Sequence, residues 1–129
     1  MNNFPENIHS KRDIRNAIGD TFLSCAVMPE SSTEYYYGQD IRTLGGICDA
    51  VLPMQYKGNY GAGRSWLAST TQMFAGQANT VWSGLQSYRS DDDPSLLPAD
   101  ELIEDCKTCL ENGAKGVILF RYGLSPAFE

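Results

Sequence analysis

The stretch at residues 48–60, CDAVLPMQYKGNY, decides the fold. Ala50-Val51-Leu52 is a continuous apolar run, and Met54-Gln55-Tyr56-Lys57 replaces it with polar and aromatic side chains. A run that is apolar on both faces marks a strand inside a parallel sheet, and the polar change marks its carboxyl end, where a site can form. The same transition recurs in FLSCAVMPE at 22–30, TVWSGLQSY at 80–88 and GVILFRYG at 116–123. Helical patterns separate these stretches. The expected fold is α/β: consecutive βα units of a parallel sheet, four strands and about four helices, with the site along the edge formed by the carboxyl ends of the strands.

A chain of 129 residues, 42% hydrophobic and 20% charged, has the material for one domain spanning 1–129 with its own core. Its net charge of −6, with only 10 Lys and Arg, opposes a phosphate-coating surface, so no nucleic-acid partner is expected. No apolar run approaches the roughly 20 residues that span a bilayer, and MNNFPENIHSKR lacks the apolar core of a signal peptide. The chain as written is therefore expected in the cytoplasm and off the membrane, although a longer parent protein could be exported. Cys106 and Cys109 have CxxC spacing. They lie in a helical pattern without the strand-to-helix junction of a redox pair or the second pair of a zinc site. With Cys25 and Cys48 they read as core thiols, and neither a metal nor a cofactor is expected.

Residues 1–8, with Pro5, read as a loose lead-in to a helix over 9–18 that carries Ile14, Ala17 and Ile18 and stops at Gly19. His9 is the only histidine, which makes neither a triad nor a metal site. Ser32 or Thr33 can cap a second helix that carries Tyr35, Tyr36, Tyr37, Ile41 and Leu44 and stops at Gly45-Gly46. A third, over 65–77, buries Trp66, Leu67, Thr70, Met73 and Phe74. The last opens at Pro98, turns Leu102, Ile103, Cys106 and Leu110 to the core, and ends at Gly113. Asp91-Asp92-Asp93-Pro94 reads as a solvated acidic loop.

Two features bear on chemistry. Glu30 stands just past a parallel strand, where general acids and bases are found in α/β barrels, although an acidic residue before a helix is also commonplace. Gly58 to Ser65, GNYGAGRS, fits the phosphate-loop spacing GxxxxGK[ST] with Arg64 in place of the lysine. A guanidinium substitutes poorly for the compact ammonium which that loop requires, and none of the four strands ends in an aspartate for magnesium. The glycines read instead as a βα loop that brings Asn59, Tyr60 and Arg64 near the site.

DAVLPMQY, GLQSYRS and GVILFRYG resemble the sixth, seventh and eighth strands of glycoside-hydrolase-like (β/α)8 barrels, especially the chitinase-like family 18 group and the putative glycosidase barrels near it. In that resemblance CAVMPE is the fifth strand and the opening helix the fourth, so nearly the whole chain corresponds to the carboxyl-terminal half of a barrel. The resemblance implies a pocket lined by Met54 and Tyr56, with Tyr56 helping to hold the reacting sugar. The chain departs from the family in two respects: it has no DxxDxDxE motif, and Lys57 follows the Met-x-Tyr where the family has Asp. Strand-end position adds Gln55, Lys57, Asn59, Gln86, Tyr88, Arg89, Arg121 and Tyr122 as candidate substrate contacts. Strand parity alone does not say which of Gln55 and Tyr56 points inward.

Eight strands close a barrel, whereas four leave two edges. A half barrel is therefore expected to pair with itself or with a partner half-barrel. The expected function is binding of a polysaccharide of the cell-wall type at the carboxyl ends of the strands, with hydrolysis through Glu30 and Tyr56 if the chain is active alone. Hydrolysis usually needs two carboxylates, and only Glu30 is evident at the strand ends. The alternatives are a non-catalytic carbohydrate-binding or interaction module and a nucleotide-binding domain that uses Gly58 to Ser65.

Overall fold

The computed structural model describes residues 4–30 and 38–126. In chain order the elements are α1 (Phe4–Ile18), β1 (Ser24–Val27), α2 (Ile41–Ile47), β2 (Ala50–Gln55), α3 (Arg64–Ala75), β3 (Trp82–Gln86), β4 (Tyr88–Ser90), β5 (Asp93–Leu96), α4 (Ala99–Glu111) and β6 (Gly116–Phe120). Strands β1, β2, β3 and β6 form one sheet in that spatial order, and every neighbouring pair is parallel. The arrangement is half-barrel-like α/β, with sequence order kept across the sheet. None of the helices among the described residues is long and apolar enough to cross a membrane.

The register assigns each side chain a face. Ala26 pairs with Leu52, Met54 with Gly84, Gly84 with Ile118 and Gln86 with Phe120, so these residues share one side of the sheet. Their alternates, Cys25, Val27, Val51, Val81, Leu85, Val117 and Leu119, occupy the other side and pack against the helices in two clusters. One cluster joins Ile41 and Leu44 of α2 and Phe74 of α3 to β1 and β2, and the other joins Leu67 of α3 and Leu102 and Cys109 of α4 to β3 and β6. Phe74 and Leu67 are fully buried. Truncating a ring such as Phe74 to alanine costs about 3–5 kcal/mol.

Four local expectations are corrected. Helix α1 begins at Phe4, so residues 4–8 are not a loose lead-in, and Pro5 falls in the first turn, where a missing N–H costs nothing. Helix α2 is capped by Asp40, whose carboxylate accepts from Thr43 Oγ1 at 2.6 Å, so no helix runs unbroken from residue 33 to residue 44. The expected caps Ser32 and Thr33 and the three tyrosines lie outside the described residues. Gly45-Gly46 does not stop α2, which continues to Ile47; Gly45 instead lets the helix approach Ala78, whose Cβ would lie 3.0 Å from a Cβ added there. Residues 88–96 form an antiparallel hairpin, β4 against β5, with Asp91-Asp92 as its two-residue turn, where an acidic loop was expected.

A fifth correction concerns α4. Its buried residues are Leu102, Asp105 and Cys109, whereas Ile103 and Leu110 are exposed. An aspartate occupies the centre of the apolar stripe because two cations meet it there. Lys57 Nζ lies 2.6 Å from Asp105 Oδ2 and 3.5 Å from Glu101, and Arg64 Nε lies 3.1 Å from Asp105 Oδ1. The Asp105 side chain is 2% exposed and that of Lys57 15%. Among the described residues no buried side-chain nitrogen or oxygen lacks a hydrogen-bond partner. Breaking such a buried pair from one side strands the remaining charge. Asp105→Asn is therefore expected to lower stability by about 3 kcal/mol, read as a lower urea midpoint with an unchanged slope; a loss below about 1 kcal/mol, the scale of an exposed pair, would show that the cluster is effectively solvated.

Candidate active site

Tyr56 follows the last residue of β2 and extends the face that carries Met54. With Met28, Asn59 and Tyr60 these residues line a cleft of about 370 Å³ at the carboxyl ends of β1 and β2. The lining is apolar with a few polar tips, the usual make-up of a small-ligand site. Tyr56 is stacked on Phe120, centroids 5.1 Å apart, and Tyr60 on Trp66, 5.2 Å apart.

Glu30, half-buried past the end of β1, accepts from Tyr60 Oη at 3.4 Å. Sequence position and geometry thus bring Glu30, Met54, Tyr56, Asn59 and Tyr60 together. Gln55 lies elsewhere: it is fully buried on the helix side of the sheet, where its Nε2 donates to Leu67 O at 3.2 Å and Thr71 Oγ1 at 3.0 Å. The face is set by the register of β2, which turns odd-numbered residues toward α3. Lys57 is engaged by Asp105 and Glu101 and anchors the loop that follows.

Gln86 closes the site from β3 without lining it. Its buried amide exchanges two bonds with Asn59, accepting from Asn59 N at 3.2 Å and donating to Asn59 Oδ1 at 3.0 Å. Gly58 makes this approach possible, since a Cβ there would stand 1.6 Å from Arg89 O. The first glycine of the phosphate-loop imitation thus lets the loop meet β4, Gly61 turns the chain at a φ of 60°, and the Arg64 guanidinium is turned to Asp105. The Arg89 side chain is exposed. Arg121 sits with its guanidinium carbon 5.9 Å from the Tyr88 ring centre, and Tyr122 projects into solvent.

The sequence reading missed Met28 as a wall residue and Asp91 as the hydrogen-bond partner of the wall residue Asn59. Asp91 Oδ1 accepts from Tyr88 Oη at 2.6 Å, and its Oδ2 accepts from Asn59 Nδ2 at 3.0 Å. In a run of three aspartates nothing distinguishes the first, whereas the two-residue turn of the hairpin does. Among the described residues no three of His, Cys, Asp and Glu converge to hold a metal ion. Burial raises the Cys25, Cys106 and Cys109 thiols above their ordinary range, so none of them is a ready nucleophile.

Burial also raises the Tyr56 phenol, as do the charges of Tyr88 and Asp91. Tyr88 is raised by burial and then by its bond to Asp91. No protein-family model, curated protein or solved structure matches the chain.

A phenol whose folded pKa lies above its unfolded value keeps its proton while the unfolded chain loses its own, so stability falls as pH rises past about 10. In an absorbance titration of phenolate, Tyr56 and Tyr88 are expected to ionise last, and Tyr56→Phe and Tyr88→Phe each to remove part of the late phase. Asp91→Asn is expected to move that phase to lower pH. A late phase untouched by all three substitutions would contradict the geometry.

Proposed function

We propose that this chain is a glycoside-hydrolase-like domain that binds a polysaccharide of the cell-wall type in the cleft at the carboxyl ends of its parallel strands, with Glu30 as its hydrolytic carboxylate. The observation that carries the reading is a cleft lined by Met28, Met54, Tyr56 and Tyr60, with the Glu30 carboxylate accepting from the hydroxyl of its wall residue Tyr60. A sugar ring offers C–H faces to aromatic and thioether walls and hydroxyls to carboxylates, and this lining supplies both kinds of contact. The nucleotide reading has no comparable support, because the cation that would meet a phosphate is already paired with Asp105.

The reading includes a second four-stranded unit, supplied by another copy of the chain, that covers the open face of the sheet. That face carries Ala26, Leu52, Met54, Trp82, Ile118 and Phe120, and β1 and β6 are its two edges. Two such sheets have the eight strands of a closed barrel.

The test is retention of the purified chain on insoluble chitin, peptidoglycan and cellulose, together with release of reducing sugar. Wild type is expected to be retained on one of them. Tyr56→Ala is expected to lose at least about tenfold in affinity, the scale of a buried aromatic anchor. Glu30→Gln is expected to keep binding and lose turnover. Binding with no turnover in either form would assign a non-catalytic carbohydrate-binding module, and retention on none of the three would contradict the proposal.

A further inference from the structure

Strands β1, β2 and β3 lie side by side, so the cleft over β2 has two flanks. Glu30 stands on the β1 flank, held by Tyr60. On the β3 flank the hairpin turn carries Asp91. We infer that Asp91 is a substrate-binding carboxylate of the same cleft, one that accepts hydrogen bonds from sugar hydroxyls opposite Glu30. The inference rests on the glycan reading and adds to it the second carboxylate that the sequence does not reveal.

Three features of the geometry support it. Asp91 is fixed: its oxygens accept from Tyr88 Oη at 2.6 Å and Asn59 Nδ2 at 3.0 Å, and its backbone N–H donates to Asn59 Oδ1 at 2.9 Å. Asn59 is a wall residue of the cleft and is itself clamped by the buried Gln86, so the carboxylate is tied to that wall. It also has capacity to spare, because a carboxylate offers about four lone-pair sites and these side chains use two. Asp91 is exposed, which leaves the remaining sites open to an incoming hydroxyl.

The raised Tyr56 phenol, to which the charge of Asp91 contributes, agrees with a carboxylate near the cleft. The flanks also have the right scale. Strands two apart in a sheet are separated by about 10 Å, room for a sugar ring between the two flanks. The neighbouring aspartates differ from Asp91: Asp93 accepts from Ser95 within the hairpin, at 3.2 Å from its backbone N and 2.7 Å from its hydroxyl, and Asp92 is an exposed residue of the turn.

The experiment pairs a protein change with a ligand change. Soluble β-1,4-linked oligomers of N-acetylhexosamine and of glucose, with their singly deoxygenated analogues, are titrated against wild type, Asp91→Ala and Asp92→Ala, with Trp fluorescence as the readout. Asp91→Ala is expected to weaken the parent oligomer at least about tenfold, through the loss of a hydrogen bond to a charged acceptor, and Asp92→Ala to leave it unchanged. One deoxy analogue is expected to bind wild type about tenfold more weakly than the parent and to bind Asp91→Ala as well as the parent does. A brace that merely held Asn59 would weaken both ligands equally and leave the deoxy penalty intact in Asp91→Ala; that result, or an unchanged affinity, overturns the inference alone. A wild type that binds no oligomer overturns the glycan reading and this inference with it.

Discussion

A parallel sheet needs both faces out of water, and among the described residues the helices cover only one. Both hydrophobic clusters lie between the sheet and α2, α3 and α4. The opposite face carries Ile118 at 37% and Phe120 at 38% exposure, with Phe22 at 55% stacked on Trp82 beside them. An apolar layer of this kind, on four parallel strands in sequence order, gives the sheet its half-barrel-like character. The same face holds the site, since Met54 and Tyr56 extend it to the carboxyl ends. On the proposed reading, a second copy that closes the sheet also completes the cleft.

The second determinant is the buried carboxylate of Asp105. It ties α4 to both ends of the loop between β2 and α3, through Lys57 at one end and Arg64 at the other. Between those anchors the chain has only to place Asn59 and Tyr60. These consecutive residues contact the two carboxylates, Asn59 that of Asp91 and Tyr60 that of Glu30. A charge cluster behind the sheet edge thus fixes the loop whose side chains form the front wall of the cleft. Its energetic value lies in specificity of position, because a buried pair gains little net stability over apolar packing even though breaking it is costly.

Much of this was legible in the sequence, for identifiable reasons. Apolar runs ending in polar residues announce strands of a parallel sheet, and all four runs became its strands. Trp66, Leu67, Thr70, Met73 and Phe74 announced α3 because their spacing matches a helix. Asp105 escaped notice because a charged residue in an apolar stripe looks like a solvated one until its partners, 48 and 41 positions away in sequence, are placed beside it. Gln55 was misplaced for a different reason. Alternation along a strand gives two faces but not which one meets the helices, and only the register with β1 and β3 resolves that. Asp91 depended on a hairpin that a run of three aspartates followed by proline does not suggest.

The solution mass of the purified chain, measured by light scattering alongside circular dichroism, tests most directly the claim that the open sheet face is closed by a second copy. A folded species of twice 14.2 kDa, reduced to 14.2 kDa by Ile118→Glu without loss of secondary structure, is the predicted result. A folded wild-type monomer of 14.2 kDa would contradict it.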